Sequence, residues 1–230
     1  MNGVGVVAAL EAEARTLGPV VRRRDGLSSL CDGALLAVSG MGGERAEIAA
    51  RRLVDAGAAA LMSFGLAGGL DPTLRVGTVV LPAAVISRSG ARFETSAGWR
   101  EQLSDAIAKR RPVAAGTLLN SAQPIGAVAD KAAAFRDTGA VAVDMESWGV
   151  AQVAAAHGLP FVAVRVIVDT AADVLPRAVV AASRGSRVNI RHLIGGLAAA
   201  PLDLAALIRL ARAYRAATRS LTAVADARVA

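Results

Sequence analysis

Short apolar runs recur along this chain, most of them closed by a glycine or an acid, and segments of helical spacing separate them. Runs this short suit strands buried on both faces, and such strands need helices to cover them. The pattern therefore predicts an α/β fold, a central mixed β-sheet flanked by helices. Strands are expected at GVGVVAAL (3–10), ALLAVSG (34–40), AALMSFG (59–65), GTVVLPAAV (77–85), PVAAGTLL (112–119), AVAVD (140–144) and FVAVRVIVD (161–169). One covering helix is expected in GERAEIAARRLVDAG, where Ile48, Ala49, Leu53 and Ala56 share a face and Gly57 follows the end. Another is expected in MESWGVAQVAAAHG, with His157 in its last turn, where the helix dipole accounts for it.

The 230 residues, 54% apolar, are enough for one large domain, taken as residues 1–200, with 201–230 as a helical appendage of it. No apolar stretch reaches the roughly 18 to 20 residues of a membrane span, and the N-terminus has no basic region followed by a hydrophobic segment and cleavage site. A cytoplasmic protein is expected. One cysteine, Cys31, excludes an internal disulfide and a thiolate metal cluster, and the two histidines, His157 and His192, stand far apart, so no metal site is expected. The net charge of +7 is carried by arginine, the only lysines being Lys109 and Lys131. Anionic partners would explain that charge, and so would the nucleotide composition of the gene. Nucleic acid is not an expected partner, because four Phe, two Trp and one Tyr supply no basic run interleaved with aromatics.

Glycine-rich turns are expected after two strands, in SGMGGE (39–44) and FGLAGGLDP (64–72). The first fails as a dinucleotide fingerprint because Arg45 stands at the third glycine position, and neither ends as a Walker-type loop does. Carboxylates follow three strands: Glu11 and Glu13 after the first, Asp144 and Glu146 about Met145, and Asp169 at the end of FVAVRVIVD. Any one of these is an ordinary helix-cap or first-turn acid. Together, at the strand edge where open α/β sheets bind ligands, they point to a site, since an unpaired buried carboxylate is costly.

In this order and spacing, GVVAALEAE, VSGMGGERA, FGLAGGLDPTLRVGTVVLP, VDMESWGVAQVA and PFVAVRVIVDTAAD resemble the nucleoside phosphorylases and the methylthioadenosine/S-adenosylhomocysteine nucleosidases. The GLAGG spelling, the apolar VLPRAVVAA after Asp173 and the Leu/Ala/Arg tail are most similar to the hopanoid-associated phosphorylases, which act on adenosylhopane. The resemblance implies a three-layer sandwich and cleavage of the N-glycosidic bond of a 5′-modified purine nucleoside. That chemistry needs a protonated leaving base, a stabilised ribosyl cation-like transition state and a nucleophile at C1′. By the resemblance, Asp169 is the proton donor to N7 and Glu13 positions the attacking water. Glu146 holds the ribose hydroxyls, Met145 packs on the sugar, and Ala67, Gly68, Ile125 and Val168 line the substrate.

The resemblance leaves two nucleophiles open. Hexameric phosphorylases carry a phosphate-binding arginine where this chain reads Met62, Ser63 and Phe64, and Leu66 replaces a hydroxyl residue. Glu13 favours water, while Gly42 and Gly43 with Arg15 or Arg45 offer a place for inorganic phosphate as co-substrate. Phosphorolysis of adenosylhopane is the leading expectation, with hydrolysis of methylthioadenosine or S-adenosylhomocysteine as the alternative and a non-catalytic nucleoside- or lipid-binding protein behind both. No metal or organic cofactor is implied, and relatives form homo-oligomers in which a neighbour completes the pocket.

After the acid, Val174, Leu175, Pro176, Val179 and Val180 would wall a bulky 5′ group or belong to an ordinary buried helix. In the tail, Arg209, Arg212, Arg215 and Arg219 share an arc opposite Leu207, Leu210, Tyr214 and Leu221. Such a helix either packs its leucine face on the domain or lies peripherally on the inner face of an anionic membrane.

Overall fold

The computed structural model describes residues 3–176 and 202–229. Its strands are β1 (Val4–Ala8), β2 (Val20–Arg22), β3 (Ser28–Leu30), β4 (Leu35–Val38), β5 (Ala60–Gly69), β6 (Val79–Val80), β7 (Ala84–Ile86), β8 (Arg92–Glu94), β9 (Val113–Ala114), β10 (Thr117–Asn120), β11 (Ala142–Asp144) and β12 (Phe161–Asp169). The helices are α1 (Glu11–Ala14), α2 (Gly43–Asp55), α3 (Ala97–Ala108), α4 (Val128–Thr138), α5 (Ser147–Ala156) and α6 (Leu202–Val229), with a short 3-10 turn at Arg15–Leu17.

All the described strands join one mixed sheet, whose main path runs β2-β3-β4-β1-β5-β11-β10-β7-β8. β5 is its hub. β1 and β12 lie parallel to it on either side, and where β1 stops, β11 pairs antiparallel with Gly68 and Gly69. β12 carries β6 on its far edge, and β6 in turn carries β9. Successive residues of the central strands face opposite ways, as a strand requires. Val7, Leu61, Ala163 and Ile167 pack under α2 and α5, while Val6, Met62, Phe64, Val162 and Val164 pack with residues of α3 and α6. The result is the helix, sheet, helix layering expected of the sequence pattern.

Four details depart from that pattern. The run 77–85 is two strands, because Pro82 has no amide for the ladder and the chain changes partners there, from β12 and β9 to β10 and β8. The run 112–119 breaks in step with it. The stretch 64–72 is not a turn: β5 continues through Gly69. In α2 the buried face is Ala46, Ala49, Ala50 and Leu53, and Ile48 is 55% exposed, so the stripe is rotated from the one expected.

α6 packs on β12, on the 3-10 turn and on α3. Ala217, Leu221, Val224, Ala225 and Ala227 are buried, and Arg209, Arg212, Arg215 and Arg219 are exposed. Leu207 and Leu210 lie outside the described side chains. Among the described residues no helix is long and apolar enough to cross a membrane.

Candidate active site

Three carboxylates from separate strand ends meet around one cavity of about 170 Å³. Its lining contains Glu13, Ala67, Gly68, Ile125, Met145, Glu146, Val168 and Asp169, the eight residues that sequence reasoning singled out as reacting with or lining a substrate. Met41, Gln123, Pro124, Asp144 and Leu175 complete much of the rest.

Glu13 sits one turn beyond β1, in α1, and is 3% exposed. Its Oε2 accepts hydrogen bonds from the amides of Ala9 (3.1 Å) and Leu10 (2.9 Å), and Oε1 from the amide of Leu66 (2.9 Å). The carboxylate thus ties the end of β1 to the glycine segment of β5. Burial raises its pKa, and the Arg165 guanidinium opposes that rise.

Glu146 begins α5, and a second acid frees its side chain for the cavity. Asp144, at the end of β11, accepts the Ser147 amide at 3.0 Å and so satisfies one of the free donors at the helix start, while the Glu146 side chain caps none of them. Glu146 turns instead to α2, its Oε1 accepting the Gly42 amide at 2.9 Å. α2 and α5 can meet this closely because residue 149 is glycine: a Cβ there would lie 2.1 Å from the Gly43 carbonyl oxygen. Burial and, next, the charge of Asp144 push the Glu146 pKa up to about 7.

Asp169 ends β12 at a bulge. The pairing with β5 passes from Ile167 opposite Ala67 to Asp169 opposite Gly68, leaving Val168 as the extra residue. In a regular strand Val168 and Asp169 would face opposite ways; the bulge lets both line the cavity. Asp169 is 5% exposed, and burial raises its pKa against the opposing charge of Lys131.

Beneath these acids lies a polar network that sequence reasoning missed. Arg165, 1% exposed in mid-β12, pairs with Asp144 at 2.6 Å. It also donates to Ser63 Oγ (2.6 Å) and Ser147 Oγ (3.0 Å). Lys131, on α4 and fully buried, forms an ion pair with Asp169. Both had a visible signal: Arg165 interrupts an apolar strand, and Lys131 is one of two lysines in an arginine-rich chain.

None of the four residues expected to hold phosphate is in the lining of this cavity. The Gly42 amide is bonded to Glu146, and Gly43 opens α2 against α5. Arg15 is exposed on the 3-10 turn, and Arg45 lies against Gly40; neither lines the cavity. Of the apolar wall, Leu175 lines this cavity, and Val174 and Pro176 line an adjoining one of about 310 Å³ that also borders Asp169, Asp173 and Arg209. Val179 and Val180 lie outside the described residues. Among the described residues no group of three or more His, Cys, Asp or Glu side chains is placed to hold a metal ion.

A family model described as the phosphorylase superfamily matches residues 29–194. A search of curated proteins finds no match. Among solved structures, the 5′-methylthioadenosine/S-adenosylhomocysteine nucleosidase of Neisseria meningitidis superposes with a TM-score of 0.73 at 21% identity, covering 100% of this chain and 98% of that one. The corresponding Campylobacter jejuni nucleosidase gives 0.68 at 17% identity, covering 76% and 89%. The futalosine hydrolase of Helicobacter pylori gives 0.64 at 16%, covering 74% and 88%. At these identities the likeness shows a shared fold.

Proposed function

Because the chain belongs to the phosphorylase superfamily, we propose that it cleaves the N-glycosidic bond of a 5′-modified purine nucleoside. The observation that carries this reading is the convergence of Glu13, Glu146 and Asp169 on one cavity. Asp169 protonates N7 as the C1′–N9 bond breaks, and its raised pKa keeps a share of it protonated nearer neutral pH. Glu146, with Oε1 on the Gly42 amide, presents Oε2 to the ribose hydroxyls. Met145 packs on the sugar. Glu13 takes a proton from water as the water oxygen bonds to C1′, and the products are free base and free sugar.

Water is favoured over phosphate by the lining. Its charged members among the described residues are Glu13, Asp144, Glu146 and Asp169, all acids, while Arg165 and Lys131 beneath them are already paired with Asp144 and Asp169, so the described lining offers a phosphate dianion no cation of its own. The likeness to the hopanoid-associated branch supports the second reading, phosphorolysis, and adenosylhopane as substrate. The apolar Val174, Leu175 and Pro176 suit a large apolar 5′ group, with methylthioadenosine and S-adenosylhomocysteine as smaller alternatives. The resemblance also implies a homo-oligomer, which sedimentation velocity reads directly. Peripheral contact with an anionic bilayer would rest on the exposed Arg209, Arg212, Arg215 and Arg219; unchanged liposome co-sedimentation after all four become Gln would dismiss it.

The test is adenine release from each nucleoside with and without phosphate. Release indifferent to phosphate, with a free reducing sugar, supports hydrolysis. Strict phosphate dependence with a ribosyl 1-phosphate product overturns it in favour of phosphorolysis. Asp169→Asn should lower kcat by about 10²- to 10⁴-fold, the usual worth of a positioned general acid. A variant as fast as the parent would remove Asp169 from the mechanism.

A further inference from the structure

Lys131 is fully buried on α4, and its ammonium has three neighbours. It bonds Asp169 Oδ2, the Thr170 carbonyl oxygen at 2.7 Å and the Asp173 carbonyl oxygen at 3.0 Å. A lysine has three N–H donors, so all are accounted for. The two carbonyls belong to the turn that follows β12. That turn is closed on itself, because Asp173 Oδ2 accepts both the Thr170 amide (2.8 Å) and the Thr170 hydroxyl (2.7 Å). One cation thus joins α4, the end of β12 and the turn beyond it. Asp169 Oδ1, by contrast, accepts no hydrogen bond from the described residues.

From this geometry we propose that Lys131 is a positioning residue for proton transfer: by occupying Oδ2 it commits Oδ1 of Asp169 to the departing base. The proton then sits on the one oxygen that faces no protein donor, and the side chain cannot rotate to exchange the two without breaking the Lys131 contact. Among the described residues the charges that act on Asp169 are Lys131 from α4 and Asp173 from the turn, and Arg209 of α6 borders the same adjoining cavity. Lys131 favours the ionised carboxylate and Asp173 the neutral acid. Removing the lysine charge therefore leaves a carboxyl that holds its proton to higher pH and donates it from either oxygen.

The inference rests on Asp169 being the general acid, and the experiment separates the two. Lys131→Met and Asp169→Asn are assayed on a purine nucleoside and on a p-nitrophenyl riboside, whose leaving group needs no protonation. Lys131→Met should lower kcat on the nucleoside at least tenfold with KM within threefold, move the alkaline limb of kcat upward by half a pH unit or more, and keep the p-nitrophenyl rate within threefold. Loss of both substrates alike, or an unchanged alkaline limb in a folded variant, overturns the positioning role. If Asp169→Asn cleaves the nucleoside at the parental rate, the general-acid reading itself falls. Folding of the variant is not required for a second measurement on the parent enzyme. With Lys109 exposed, 15N spectra should show one slowly exchanging NζH3+ signal that shifts as Asp169 titrates, and absence of that signal also overturns the proposal.

Discussion

Glu146 carries its proton affinity as a consequence of where the fold puts it. Burial and the nearby Asp144 charge raise its pKa from the ordinary 4.5 of a glutamate to about 7, so the folded state binds this proton more tightly than the unfolded chain does. Its contribution to stability is then fully present below the unfolded pKa and lost as pH rises through about 7. At roughly 1.4 kcal/mol per pKa unit, the loss is on the order of 3 kcal/mol. Glu146→Gln, permanently neutral, should melt higher than the parent at pH 8, with the difference shrinking toward pH 5; chemical denaturation at the two pH values measures it. The same variant should bind nucleoside poorly, since the carboxylate is kept for the ribose at a cost in stability. Asp169 was legible as an anomaly because a carboxylate ends an apolar strand. That Lys131 is its partner was not legible, because 38 residues separate the two and only the packing of α4 on the end of β12 brings them together.

At the scale of elements, β5 shows why glycine spelling alone misleads. Gly65 reads as part of a turn, yet it lies in a strand squeezed between two site residues: a Cβ there would fall 2.5 Å from Arg165 Nη1 and 2.7 Å from Glu13 Oε1. Both neighbours are pinned by hydrogen bonds or ion pairing, so neither yields cheaply. Gly65→Ala should displace Glu13 and cut kcat at least tenfold, with a loss of stability of about 1 to 3 kcal/mol from overpacking. Wild-type kinetics in this variant would show that Glu13 has slack. The rotation of the α2 stripe has a similar origin. Periodicity predicts an apolar face, but the close approach of α2 to α5 at Gly43 and Gly149 chooses the small residues Ala46, Ala49 and Ala50 for it and leaves Ile48 outside.

For the molecule as a whole, the sheet order decides the site. β1, β11 and β12 each deliver an acid, and they do so to one place because β5 pairs with all three. α6 belongs to the same body, with Leu221 fully buried in the core cluster that also holds Val162 and Val164 of β12. Leu221→Ala should cost about 2 to 5 kcal/mol. A chain ending at residue 200 should lose the cooperative melting transition, and a truncated protein that melts as sharply as the parent would return α6 to the status of a detachable tail.

By itself the sequence determined the layered α/β class, the positions of the main strands and the acids at their ends, because burial periodicity and turn residues act over a few neighbours. It also marked a composition with one cysteine and two histidines, which narrowed the chemistry. Tertiary structure alone decided which acids meet, which amides they accept and which cations lie beneath them. Those contacts join residues such as Glu13 and Leu66, Gly42 and Glu146, and Lys131 and Asp169, far apart in the chain. Their energies exist only once the sheet has formed and water has been excluded, when a buried charge must find its partner.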